Sequence, residues 1–275
     1  STTSGLITLA LDTEGQISSV VDDMETEAMN LMVPIQTGSG GQELMLGFGA
    51  EQNVWRFTLD SQGLLTSPTT VPQLTAALQQ QENTTVETAV HVVLPTEGAR
   101  LFVGSDRGLL MANSSDFSGG FDSTWIFDIS NAEDFVIPAD AIDSALAARV
   151  QALFVDGPRD ANGDITSPQT LWVGTRGGVH QFDLIVGPST PLGAFSYDRM
   201  INDEEFTAND IHSILPLGDE VIIGSQWGSW ALDADHSRSS GVEPDHTRIP
   251  GRIVVMTVLD VDGESLLFAA LDPGV

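Results

Sequence analysis

An acidic residue and a histidine stand two positions apart at Asp210 and His212, at the start of an apolar segment. Other polar residues stand at the starts of comparable segments or within them, and these are Asn30, His91, Arg149, Gln151 and Arg252. Carboxylate, imidazole and guanidinium groups that come together bind anionic or sugar-like ligands through charge-assisted hydrogen bonds. The alternative is that these side chains only satisfy buried strand ends and ordered water.

A second candidate site is an acidic turn. Its oxygen-bearing residues are Asp156, Asp160, Asn162 and Asp164. Alternating oxygen donors with a glycine between them resemble a calcium-binding loop. After the alternating donors Asp160, Asn162 and Asp164 the glycine of an EF-hand is missing, and so is its later bidentate glutamate, so a hairpin turn rich in Asp and Asn is the alternative. We therefore expect no required cofactor, with calcium as the possible metal.

Catalytic residues cannot be selected from this sequence. Carboxylate-based hydrolysis needs acids that converge on one point, and among 39 acidic residues such pairs arise by chance. The chain has no cysteine, no Gly-x-Ser-x-Gly, no His-Glu-x-x-His and no P-loop. These observations favour a protein that is not an enzyme. Trp227 lies in a turn, where its ring would be free to contact a partner or a sugar.

The composition limits the partners. The chain has 275 residues, 41% of them hydrophobic, and its net charge is −29 because ten arginines and no lysine face 39 acids. Such a negative charge repels nucleic acids and acidic lipid headgroups. The sequence has no apolar run of about 18 residues, so we expect no direct membrane insertion. An acidic, lysine-free surface is typical of saline surroundings. We expect a periplasmic or extracellular protein, from a bacterium of a saline environment.

A short apolar run that ends in glycine recurs along the chain. The copies are Leu44-Met45-Leu46-Gly47, Leu101-Phe102-Val103-Gly104, Leu171-Trp172-Val173-Gly174 and Val221-Ile222-Ile223-Gly224, with a degenerate fifth at Leu267-Phe268-Ala269-Ala270. An alternating segment precedes each copy, and a polar turn and another apolar run follow the first four. Short apolar runs between Gly, Asp and Pro favour strands over helices. A glycine inside a strand marks a place where another group approaches closely.

Four antiparallel strands repeated around an axis form the blades of a β-propeller. We therefore predict an all-β chain that forms a single closed propeller over residues 1–275, with five blades. Their approximate bounds are 20–70, 87–130, 149–200, 209–250, and 251–275 together with 1–19. The terminal strands then share one blade, which leaves no wide sheet edge exposed. Six blades are the alternative if residues 117–148 hide one, and short helices are expected at 72–81 and 139–148.

Two units carry a more specific pattern. One is Asn209-Asp210-Ile211-His212-Ser213-Ile214 followed by Val221-Ile222-Ile223-Gly224-Ser225 and Gly228, and the other joins Val150-Gln151-Ala152-Leu153 to Leu171-Trp172-Val173-Gly174-Thr175-Arg176-Gly177-Gly178-Val179. This pattern resembles the two-component-regulator propeller repeat, N-x-I-x-x-I followed by L-W-I-G-T-x-x-G-L. The resemblance implies a periplasmic sensory or binding propeller without a common catalytic site. Family members usually carry many more blades, so the resemblance concerns the repeat alone.

Three functions fit these observations. The first is a non-catalytic scaffold or recognition module that binds a partner protein or joins a larger assembly. The second is a ligand-sensing propeller domain of a larger receptor, which binds a glycan or a small anion. The third is a five-bladed glycoside hydrolase or a calcium-dependent hydrolase. The sequence favours them in that order.

Overall fold

The structure is a computed structural model. It describes residues 5–11, 17–25, 28–35, 44–61, 64–94, 98–131, 148–158, 166–176, 178–185, 191–195, 199–201, 204–206, 210–217, 220–226, 228–233, 252–261 and 264–271.

The first half of the described chain forms a hairpin, two four-stranded sheets and a helix. The hairpin joins β1 (Gly5–Leu11) to β2 (Ile17–Glu25). The first sheet contains β3 (Met29–Ile35), β4 (Leu44–Gly49), β5 (Val54–Leu59) and β6 (Leu65–Thr70), in that order. The helix α1 (Pro72–Gln79) follows. The second sheet contains β7 (Val86–Leu94), β8 (Gly98–Ser105), β9 (Gly108–Asn113) and β10 (Asp122–Asp128), in that order.

The second half of the described chain again consists of antiparallel sheets and hairpins. The third sheet contains β11 (Val150–Asp156), β12 (Thr170–Thr175), β13 (Gly178–Asp183) and β14 (Pro191–Phe195). A small hairpin joins β15 (Arg199–Ile201) to β16 (Glu204–Phe206). The fourth sheet has three described strands, β17 (Ile211–Leu217), β18 (Glu220–Ser225) and β19 (Gly228–Asp233). The last pair is β20 (Ile253–Val261) with β21 (Glu264–Leu271).

Most of the strand predictions are confirmed. Every predicted apolar run lies in a strand, and successive strands of each sheet are neighbours in it. The helix expected at 72–81 is present, with Leu74, Ala77 and Leu78 buried. The helix expected at 139–148 falls almost entirely outside the described residues. The hairpin β15–β16 was not predicted, because its three-residue strands are too short to show a period.

The residues group into two compact units. One comprises Ser1–Val103 and Leu110–Thr124, and the other comprises Gly104–Leu109 and Trp125–Val275. Each unit has its own apolar core. Fully buried side chains of the first unit include Leu46, Phe48, Phe57, Leu74 and Leu78, and those of the second include Trp172, Phe182, Ile211, Ile223 and Ile253. The hairpins β1–β2 and β20–β21 supply two strands each, as a blade shared by the termini requires, and the sharing itself stays a prediction.

Neighbouring sheets of the second unit pack by a repeated contact at a glycine. A Cβ atom placed on Gly174 of β12 would lie 2.6 Å from Cγ2 of Ile211, the first residue of β17. A Cβ atom on Gly224 of β18 would lie 2.7 Å from Cγ2 of Ile253, the first residue of β20. Both isoleucines are fully buried. The prediction that these glycines mark a close approach is confirmed, since only the missing side chain leaves room for the next sheet.

The first sheet departs from this repeat by one residue. Thr175 pairs with Val150 at the start of the third sheet, whereas Gly49 pairs with Met29 at the corresponding place in the first. Phe48, not Gly47, therefore corresponds to Gly174. Gly47 is therefore one position out of register with the later glycines, because a longer turn follows β4. It still marks a close approach, since a Cβ atom there would lie 2.9 Å from Cε2 of Phe57.

The glycine contact generates a stability prediction. Gly174→Ala is expected to lower the free energy of unfolding by about 1–3 kcal/mol, because the added methyl group overpacks a buried contact with Ile211. Gly119→Ala is the control, since a Cβ atom there meets nothing within 4 Å. Urea unfolding of both variants measures the difference. Equal stability of the two variants would contradict the packing rule.

Candidate functional site

The polar candidates of the second unit lie at the strand starts. Arg149 directly precedes β11, Asp210 directly precedes β17 and Arg252 directly precedes β20. Each of these strands is the first of its sheet, and β17 packs beside both β11 and β20. The second residues of β11 and β17 are Gln151 and His212. The repeat therefore brings equivalent positions of successive sheets to one end of the unit.

An irregularity in strand pairing recurs at these second residues. The register shifts between Val150 and Ala152 in β11, and between Ile211 and Ser213 in β17. The same shift occurs between Ile253 and Val255 in β20. A β-bulge leaves one residue outside the regular ladder and re-aims its side chain. Gln151 and His212 are the extra residues at two of these shifts.

Four side chains form a continuous chain of contacts across two sheets. Gln151 Nε2 lies 3.4 Å from His212 Nδ1. His212 Nε2 lies 3.5 Å from Asp210 Oδ2. Asp210 Oδ1 lies 3.4 Å from Arg176 Nε. Gln151, Asp210 and His212 are candidates from the sequence, and we call all four residues together the Asp210 cluster.

Arg176 is the member that the sequence analysis missed. It lies in the two-residue turn between β12 and β13, where Thr175 Oγ1 donates a hydrogen bond to the Gly178 carbonyl at 3.2 Å. The same contact fixes the β18–β19 turn, where Ser225 Oγ donates to the Gly228 carbonyl at 3.0 Å. Gly178 adopts a φ of 137°, which favours glycine. The sequence signal for Arg176 is its position directly after the second strand of its sheet. The end of this strand lies beside the start of the first strand, where the other candidate residues stand.

The electrostatic environment keeps Asp210 ionised. Burial of the Asp210 carboxyl would raise its pKa, but contact with His212 and the nearby charges of His212, Arg176 and Arg149 outweigh this effect and lower the pKa overall. The Asp210 side chain is only 11% exposed, whereas that of Arg176 is 34% exposed. The Asp210 carboxylate is therefore the more buried member of this pair, and the Arg176 side chain is the more exposed one.

The cluster retains unused hydrogen-bonding capacity. Gln151 Oε1, Asp210 Oδ1 and His212 Nε2 are buried and make no hydrogen bond to the described residues. The separations of 3.4 and 3.5 Å around Asp210 are ion-pair distances, longer than an ordinary N–H···O hydrogen bond. Buried polar groups in native proteins normally find a partner. The arrangement is therefore suited to accept a polar ligand or ordered water.

His91 belongs to a different set of contacts, in the first unit. Its Nε2 lies 3.2 Å from the Ser114 carbonyl oxygen, and its ring meets Phe117 edge-on at 6.1 Å between centroids. Phe117 has a φ of 55°, which is uncommon for a bulky residue. Burial lowers the pKa of His91, and the hydrogen bond to Ser114 opposes the shift. The His91 side chain thus contacts the loop that follows β9.

The remaining candidates are only partly described. Trp227, Asp160, Asn162 and Asp164 lie outside the described residues. Asp156 Oδ1 accepts a hydrogen bond from the Gly157 amide at 2.8 Å, as in the turn that was the alternative to calcium. In the described part of the chain, no group of three or more His, Asp or Glu side chains is arranged to hold a metal. The calcium site stays a prediction, and so does a ligand role for Arg252.

A buried histidine next to the Arg176 turn contributes to the expected acid response. His180 is completely buried in β13, and its Nε2 lies 3.2 Å from Thr175 Oγ1. The Thr175 hydroxyl donates its hydrogen to the Gly178 carbonyl, so its oxygen accepts a hydrogen bond from Nε2–H of a neutral His180. Burial lowers the pKa of His180 to about 3. The folded state then binds this proton only near pH 3, whereas the unfolded chain binds it near pH 6.5.

This difference predicts a pH dependence. Stability from neutral His180 is complete above pH 6.5 and is lost as the pH falls towards 3, because the unfolded chain takes up the proton first. His180→Gln is expected to flatten the slope of unfolding free energy against pH in this window by about 1.4 kcal/mol per pH unit. His91→Gln is the comparison and should flatten it less, since a hydrogen bond opposes the burial effect there. Urea unfolding at several pH values measures the slopes, and an unchanged slope for His180→Gln would contradict the burial argument.

Comparison with known proteins identifies the fold. The chain resembles the extracellular domain of the putative one component system BT4673 from B. thetaiotaomicron, with a TM-score of 0.54 and 14% identity over 96% of this chain. It resembles the Dos1 propeller, with a TM-score of 0.51 and 11% identity over 96% of this chain. It also resembles BBS1N from a complex with ARL6DN, with a TM-score of 0.52 and 12% identity over 92% of this chain.

The chain has a β-propeller fold. It covers 29% of the BT4673 structure, 61% of the Dos1 structure and 66% of the BBS1N structure. No protein-family profile matches the sequence, and no curated protein matches it. No helix in the described part of the chain is long and apolar enough to cross a membrane.

Proposed function

We propose that this chain is a non-catalytic recognition module of an exported sensory protein, and that it binds a small anionic or sugar-like ligand at the Asp210 cluster. The observation that carries the proposal is the run of contacts from Gln151 through His212 and Asp210 to Arg176, with polar atoms left unsatisfied. Two adjacent sheets supply these groups, so the backbone holds them in place before any ligand arrives. Rigid presentation of polar groups is what a binding site needs.

The state of Asp210 argues against a role as a general acid. A carboxyl that acts as a general acid near neutral pH needs a raised pKa. The pKa of Asp210 is lowered, because the effects of His212 and two arginines outweigh the burial that would raise it. Asp210 is thus an anchor for the cationic groups around it and a poor proton donor.

Two likenesses support a sensory role in an exported setting. The repeat resembles that of two-component-regulator propellers, which are periplasmic sensory or binding modules. The BT4673 structure is described as the extracellular domain of a putative one component system. A ligand site in such a domain would serve detection and not turnover.

A ligand screen tests this function. A panel of sugars and organic acids is scored by the rise in melting temperature, since a ligand that binds the native state stabilises it by about 2.7 kcal/mol at 100 times its Kd. We expect at least one compound to stabilise the wild-type protein and to lose most of this effect in Arg176→Gln. Arg107→Gln is the matched control, because Arg107 lies in the β8–β9 turn and is 33% exposed, against 34% for Arg176. A panel without any effect, or equal effects in both variants, would contradict the proposal.

A second candidate function is recognition of a partner protein, favoured by an apolar face on the hairpin β20–β21. One face of this hairpin packs on the fourth sheet through Met256, Leu267 and Ala269. The other face exposes Val255 and Phe268, at 54% and 48%. Ala270 pairs with Val255 as Gly224 pairs with Ser213, so a small residue again stands where the next sheet would insert a side chain. The partner that fits this face is a protein with an apolar surface, which would cover Val255 and Phe268.

Native mass spectrometry on the protein isolated gently from its source tests the partner. We expect a stoichiometric complex that Phe268→Ser dissociates, because the exposed ring is lost from the face. Ile185→Ser is the control, since Ile185 is 62% exposed and lies outside this hairpin. A bare 29.2 kDa monomer would count against the partner and leave the ligand function in place.

A further inference from the structure

We propose that the ligand of the Asp210 cluster is a small organic monocarboxylate, bound by the guanidinium of Arg176 with support from the charge of Arg149. This inference rests on the proposed function and names its ligand class. It does not follow from the recognition function alone, because a neutral sugar would satisfy that function equally well.

Local charge is the first argument. Two arginines, Arg149 and Arg176, act electrostatically on one carboxylate, Asp210. Among Arg149, Arg176 and Asp210 the cations outnumber the carboxylate by one, in a chain whose net charge is −29. Only ten residues of the chain are basic, and two of them lie near one aspartate, so positive charge is concentrated there. This excess of cations favours a ligand with a negative charge.

Access is the second argument. Arg176 contacts Asp210 through Nε, so this contact does not involve the two terminal nitrogens of its guanidinium. The Arg176 side chain is one-third exposed, while Asp210 is almost fully buried behind it. A ligand arriving from solvent therefore meets the cation first. The planar guanidinium fork matches the two oxygens of a carboxylate.

The charge of the ligand separates a carboxylate from phosphate. The ionised Asp210 carboxylate lies 3.4 Å from Arg176 Nε, so any anion on the guanidinium also lies near this negative charge. Repulsion from Asp210 and from the acidic chain grows with the charge of the ligand. Inorganic phosphate, a mixture of monoanion and dianion near neutral pH, carries more negative charge on average than a monocarboxylate and is repelled more. A monocarboxylate gains the guanidinium contact at the lowest electrostatic cost.

Gluconate and sorbitol form a matched pair of probes, because they share a hydroxylated six-carbon skeleton and differ in the carboxylate. Calorimetric titration of the whole chain with gluconate, sorbitol and inorganic phosphate measures the three affinities. We expect gluconate to bind at least roughly tenfold more tightly than sorbitol and phosphate. Arg176→Gln should remove this preference, Arg176→Lys should retain part of it, and Arg107→Gln should leave it intact. Added NaCl should weaken gluconate binding, as expected for a partly exposed charge pair.

The outcomes separate the inference from the function on which it rests. Equal binding of gluconate and sorbitol, both lost in Arg176→Gln, would overturn the carboxylate and keep the ligand function. Tighter binding of phosphate would overturn the monoanion argument and keep an anion site. Absence of binding by all three probes would overturn the inference, and the ligand screen then decides the function. Melting curves of the Arg176 variants confirm that each variant is folded during the titration.

Discussion

The close approach of one sheet to the glycine of the preceding sheet is the constraint on which the second unit depends. Ile211 fills the space that a side chain at Gly174 would occupy, and Ile253 does the same at Gly224. Protein interiors are close-packed, so such a contact sets the distance between sheets within a few tenths of an ångström. The contact recurs from the third sheet to the fourth and from the fourth to β20–β21. Successive sheets therefore meet in the same way.

The same contact places the candidate site. Ile211 is the residue between Asp210 and His212, so the isoleucine that packs on Gly174 fixes both polar neighbours along the chain. The shift in register after Ile211 takes His212 out of the regular ladder, and His212 then meets Gln151 of the adjacent sheet. Arg176 follows Gly174 by two residues and closes the run of contacts at Asp210. Packing and recognition thus use one short stretch of each sheet.

The sequence predicts the strands and the role of Gly174, because apolar runs and an internal glycine leave a local pattern. It also singles out Asp210, His212, Gln151 and Arg149 through their places at strand starts. It does not single out Arg176, because this residue lies in a turn between two strands. Only the pairing of β11 with β12 shows that the turn lies near the strand starts. Bulges are equally hidden, since one extra residue changes the register without changing the composition. The displaced glycine of the first sheet shows the same limit: a longer turn alters the alignment while the local pattern stays intact.

The central claim is that packing at Gly174 positions Asp210 and His212. The most direct test records the imidazole signals of His212 by nuclear magnetic resonance in the wild-type protein, Gly174→Ala and Gly119→Ala, with His212→Gln to assign them. The account predicts that Gly174→Ala changes these signals, because displacement of Ile211 moves the adjacent imidazole away from Asp210 and Gln151. Gly119→Ala should leave them unchanged. Unaltered His212 signals in a folded Gly174→Ala protein would contradict the claim.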